Sequence, residues 1–172
     1  RVKRAYGLAI HRLEEFQKAL YSLGDEFLSR LEKNPDLLGI VLFGRTYNAF
    51  NDFANKGIPQ KFASRGIPVI PYDMFRYQDE SVGDHMYWEA GKKILKAARM
   101  VKSHDQLFGT YITNFVCAPD SMIVPQFREL MDTKPTLTLE LDGHTADAGI
   151  NTRIEAALDI IRNYRKISHT IQ

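Results

Sequence analysis

Three groups of residues in this 172-residue chain could do chemistry. The first is a lone sulfur. Cys117 is the single cysteine, follows a stretch that reads as a strand, and stands three residues before Asp120, where a helix is expected to start. Backbone N–H groups at a helix N-terminus favour a thiolate, which lowers the thiol pKa and makes it a better metal ligand. The plainer reading is a small buried hydrophobe. One thiolate does not hold an iron–sulfur cluster, so a cluster role requires ligands from outside this chain. The second group, Asp142-Gly-His144-Thr-Ala-Asp147, sets an imidazole among two carboxylates. Metal ligation or acid–base work by His144 would need such groups, whereas the plainer reading is a hydrogen-bonded loop that caps the next helix. The third is Gly44-Arg45 with Tyr47 and Asn48. Glycine lets the backbone approach a ligand and arginine can clamp a phosphate or carboxylate, against the alternative of a structural turn. Neither G-x-G-x-x-G nor G-x-x-x-x-G-K is present.

These residues need strand ends to position them. Ala9, Ile10, Leu13, Phe16, Leu20, Phe27 and Leu31 recur at helical spacing, predicting one helix over roughly 5–33, with Gly24 a candidate break. Gly39 to Phe43 is a short continuous apolar run, the pattern of a strand buried on both faces. Further strands are expected at Pro68–Pro71, Leu107–Thr113 and Thr136–Leu141. Helices are expected at Pro59–Arg65, His85–Lys102, Asp120–Met131 and about Asn151–Ile167. Pro125 should split or kink the third of these, and Thr152 with Glu155 has capping-box spacing at the start of the last. Residues 45–55 read as loop. The alternation predicts an α/β fold: a four-stranded parallel sheet flanked by helices on both faces, Rossmann-like or flavodoxin-like, preceded by a long N-terminal helix. The whole of 1–172 reads as a single domain, with the helix over 1–35 and strand–helix repeats over 36–172. Ligands of such sheets bind beyond the carboxyl ends of the strands, here the loops 44–55, 72–84, 114–120 and 142–149.

Composition narrows the function. With 23 Lys+Arg against 21 Asp+Glu the net charge is +2, too small a field for a dedicated nucleic-acid binder. No apolar run reaches the roughly 20 residues of a membrane span. A single cysteine suits a reducing, cytoplasmic setting. The chain opens on Arg1, not Met, and reads as a fragment of a longer protein. The other histidines (His11, His85, His104, His169) read as surface residues, most of the tyrosines as core, and Arg162, Arg165 and Lys166 as cations suited to a helix C-terminus.

Three stretches together carry a resemblance: Gly44-Arg-Thr-Tyr-Asn48 with Gly57-Ile-Pro59, Thr113-Asn-Phe-Val-Cys-Ala-Pro-Asp-Ser121, and Leu139 through Ala156 with its Asp-Gly-His-Thr-Ala-Asp core. Over essentially its whole length the chain resembles the dehydratase-component-like C-terminal region of activators of 2-hydroxyglutaryl-CoA dehydratase. The resemblance is to the large activase-related proteins that join this region to an actin-like ATPase. It implies ATP-driven, low-potential electron transfer through a [4Fe–4S] cluster in the full-length protein, with ATP bound elsewhere in the parent chain and no cluster in the isolated fragment. It implies that Cys117 is a cluster ligand and that Asn114, Asp120 and Ser121 order its loop. It also implies partnership with other domains of the same parent and with a dehydratase component, and that this piece alone is inactive. Gly143 departs from the pattern, which has an acidic residue there. Two alternatives stay open. One is a CoA- or nucleotide-binding module using Arg45, Asn48 and the 72–84 loop; the other is an architectural domain without its own chemistry.

Overall fold

The computed structural model describes residues 1–83, 86–114 and 119–171, with Ser168 the last described side chain. Cys117 and His85 lie outside the described residues. The elements run α1 (Val2–Glu32), β1 (Gly39–Gly44), α2 (Thr46–Ala49), α3 (Ile58–Ala63), β2 (Val69–Pro71), a single 3₁₀ turn (Tyr72–Met74), α4 (Glu89–Ser103), β3 (Leu107–Thr113), α5 (Pro119–Met131), β4 (Thr136–Glu140) and α6 (Asp147–Ile171). The four strands form one sheet in the order β2-β1-β3-β4, every pair parallel. The expected α/β class and the long N-terminal helix are both present.

The side-chain period of two sorts the core. Val41 and Phe43 of β1 and Leu107 and Tyr111 of β3 point to the face covered by α1, α4 and α5, where Leu31, Ile94 and Phe127 pack. Ile40 and Leu42, with Phe108 and Ile112, point to the face covered by α3 and α6, where Phe62, Ile154 and Leu158 close the layer. Both central strands are buried along their whole length, as the continuous apolar run of β1 requires, and β3 buries Thr110 and Thr113 along with its apolar residues.

The structure differs from several sequence expectations, each for a local reason. α1 runs through Gly24 without a break, because the missing Cβ lets the helix seat on the Met74 carbonyl; a Cβ there would lie 2.0 Å from that oxygen. Only its second half is packed, and Val2, Tyr6, Leu13 and Phe16 are exposed. The stretch read as loop over 45–55 holds the short helix α2. α5 is one helix through Pro125, whose ring lies on the exposed side. α6 begins at Asp147, so Thr152 lies inside it and its hydroxyl donates back to the Ala148 carbonyl at 3.0 Å, not to a helix start. Arg165 lies short of the helix end and donates to the Asp36 carbonyl at 3.0 Å, tying α6 to the turn after α1.

Candidate functional site

Strand order reverses between β1 and β3, and in open parallel sheets the crevice beyond the carboxyl ends at that point is where ligands bind. Gly44 closes β1 with φ +138°, and a Cβ on it would stand 2.4 Å from the Ile112 carbonyl oxygen of β3. Glycine is therefore required by both backbone and space. It delivers Arg45 to the crevice. Thr113 ends β3, Asn114 follows it, and α5 supplies Asp120 in its first turn.

Asp120 is fully buried and collects three partners. Arg45 Nη2 lies 3.1 Å from its Oδ2, the Thr113 hydroxyl donates to the same oxygen at 2.5 Å, and the Tyr111 hydroxyl donates to Oδ1 at 3.3 Å. A buried carboxylate is tolerable only with such pairing. Burial and the neighbouring carboxylate push the Tyr111 hydroxyl pKa far up, so it stays a donor. The other side of the Arg45 guanidinium turns outward: Nη1 donates to the Tyr47 hydroxyl at 2.5 Å, and the guanidinium carbon sits 5.1 Å from the Tyr47 ring centroid. The arrangement ties the segment after β1 to the start of α5 across the end of β3.

Of the candidate site residues, Arg45 and Asp120 pair at this crevice, Asn114 follows β3 directly, and Asn48 is buried on α2. Ser121 is exposed and instead lines an apolar hollow of about 430 Å³ with Met86, Trp88 and Met122. The expected metal ligand Cys117 lies outside the described residues, between Asn114 and Pro119. Sequence reading missed Tyr111 and Thr113. Their spacing of two at a strand's carboxyl end, just before a candidate loop, was the available signal.

The Asp142–Asp147 loop is built as a turn. Asp142 Oδ1 accepts from the His144 N–H and the Thr145 hydroxyl, both at 2.8 Å, and these bonds hold its carboxyl below the usual range. His144 is exposed. Asp147 faces Lys61 at 3.3 Å, Glu155 pairs with Arg65 at 2.5 Å, and Arg153 donates to the Thr138 carbonyl at 2.6 Å, so these groups bind α6 to α3 and β4. Among the described residues no three His, Cys, Asp or Glu side chains gather as a metal site. His104, expected at the surface, is half-buried, and its Nδ1 accepts the Gln106 N–H at 3.2 Å. Tyr72, Tyr77 and Tyr111 are core, whereas Tyr6, Tyr47 and Tyr87 are exposed.

Comparison with protein families adds one finding. Residues 1–75 match the CoA enzyme activase uncharacterised domain. The match runs from α1 through the 3₁₀ turn after β2 and includes Gly44, Arg45 and Asn48. It bears out the resemblance to activase-related proteins over that part of the chain; the Cys117 and Asp142–Ala156 stretches lie beyond it. Searches among curated proteins and among solved structures gave no match. Among the described residues no helix is long and apolar enough to cross a membrane.

Proposed function

We propose that this chain is a domain of a 2-hydroxyacyl-CoA dehydratase activator-like protein and that it contributes Cys117 as one ligand to an iron–sulfur cluster in ATP-driven electron transfer. The observation that carries the reading is the activase-domain match over residues 1–75, which takes in β1 and β2 of the sheet; Asn114 and Asp120 follow β3 of the same sheet. Those two residues bracket the segment with the cysteine in sequence. The described side chains do not make a cluster site by themselves, and the sequence holds no second thiol. The site is therefore a shared one, completed by ligands from other domains of the parent or from a dehydratase component.

Exposed apolar groups support a covering partner. Tyr47, Phe53, Tyr87 and Met122 all lie in segments that follow the carboxyl ends of the strands, and Phe53 is 96% exposed. Within this reading the Arg45–Asp120 pair is a fixed brace rather than a ligand clamp, since the guanidinium is already held by a carboxylate of its own chain. The same pair favours the architectural alternative, in which the cysteine has no metal role. Anaerobic reconstitution of the complete protein with iron and sulfide separates the two. Cys117→Ser lowers the bound iron if the thiolate is a ligand; equal iron in both proteins leaves the architectural reading.

A further inference from the structure

A cavity of about 680 Å³ opens between α1, the segment 77–83 and the first turns of α4. It shares no residue with the Arg45–Asp120 cluster and has the size of a small-molecule site. We propose that this cavity binds a nucleoside phosphate. Lys92, Lys93 and Lys96 of α4 all line it. Two of these ammonium groups have neighbours: Lys96 Nζ donates to the Gln78 carbonyl at 2.8 Å, and Lys93 stands 4.0 Å from Glu89. Lys92 is half-buried, and its ammonium makes no ion pair or hydrogen bond among the described residues. Its charge is the one left for a phosphate, which lysine binds as a compact point charge.

The remaining lining fits the rest of such a ligand. Tyr21, which is half-buried, offers aromatic surface for a base, and the buried Tyr77 forms the wall behind it. Both rings are held in place. Tyr77 is buried with its centroid 6.3 Å from that of Tyr72, and the Arg76 guanidinium covers Tyr21 at 4.8 Å while pairing with Asp25 at 3.0 Å. Asp79 and Glu80 bring carboxylates, the group that accepts hydrogen bonds from a ribose diol. With Glu89 they balance the three lysines, so the cavity has no excess charge to gather a bare polyanion. A molecule that joins phosphate, sugar and base uses every part of the lining; inorganic phosphate uses only one.

The same chemistry occurs in a free nucleotide and in the adenosine end of coenzyme A, and titration calorimetry on the intact chain with ADP, CoA and inorganic phosphate distinguishes them. ADP or CoA is expected to bind in the micromolar to millimolar range. Tighter binding of CoA assigns the coenzyme, and equal or tighter binding of ADP assigns the free nucleotide. Lys92→Ala should weaken binding by about twofold to fivefold, the size of one lost charge contact, with an unchanged urea midpoint. Tyr21→Ala should weaken ADP and leave inorganic phosphate unaffected. The proposal is overturned if neither ADP nor CoA gives heat at millimolar concentration, if phosphate binds as tightly as ADP, or if Lys92→Ala keeps full affinity. None of these outcomes depends on iron content, so the cluster reading stands or falls separately.

Discussion

Removing the Arg45 guanidinium strands a carboxylate that has no access to water. Asp120 is 0% exposed, and Arg45 provides the one cation paired to it among the described residues. In Arg45→Met the hydroxyls of Thr113 and Tyr111 remain, so the carboxylate keeps two neutral donors and loses its charged one. Breaking a buried pair from one side costs about 3–5 kcal/mol. The Arg45 side chain is 13% exposed and water can replace part of it, so the lower end, about 3 kcal/mol, is expected. For a chain of this length that corresponds to a fall in Tm of about 6–12 °C. Asp120→Asn keeps the shape and removes the charge. The double variant Arg45→Met/Asp120→Asn should then be less damaged than the sum of the singles, by about 2 kcal/mol. Urea unfolding followed by circular dichroism reads all four proteins. The reasoning is refuted if Arg45→Met costs less than about 0.5 kcal/mol, the usual range of a surface change, or if the two substitutions add without coupling.

Two further outcomes follow from single positions. Gly44→Ala forces a Cβ toward the Ile112 carbonyl at a φ that side chains disfavour, and should lower stability by about 2–6 kcal/mol, summing strain and overpacking; a urea midpoint equal to wild type would contradict the close approach. His104 has its pKa lowered, chiefly by burial and then by the Lys134 ammonium, so at falling pH the unfolded chain takes up a proton that the folded one resists. Stability should therefore decline as pH drops below about 6.5, and His104→Asn, which keeps an acceptor for the Gln106 N–H, should flatten that part of the profile.

β1 was legible because a strand buried on both faces needs a continuous apolar run, and Gly39–Phe43 is one; β3 was legible from the β-branched and aromatic residues of Leu107–Thr113, although Thr110 and Thr113 interrupt its apolar character. α1 was legible as a helix, yet its apolar recurrence over Val2–Phe16 reports amphipathicity and not what the stripe packs on; the exposure of Tyr6, Leu13 and Phe16 was not readable. The start of α6 was misplaced because Thr152 and Glu155 have the spacing of a cap but different work: Thr152 bonds within the helix and Glu155 reaches Arg65 of the segment after α3. At the candidate site, Gly44 and Arg45 were visible as a glycine and a cation after a strand. The carboxylate that Arg45 meets lies 75 positions away, and its hydroxyl partners Tyr111 and Thr113 look like ordinary strand residues. Long-range polar pairing leaves no local pattern, so the brace emerges only when β1 and β3 are laid side by side.

The cluster role of Cys117 is tested most directly by low-temperature EPR of the complete protein, reconstituted anaerobically and reduced, with and without Cys117→Ser. A thiolate ligand predicts that the substitution abolishes the reduced-cluster signal or shifts its g-values while the urea midpoint of the protein holds. An identical spectrum of equal intensity in both proteins would contradict it.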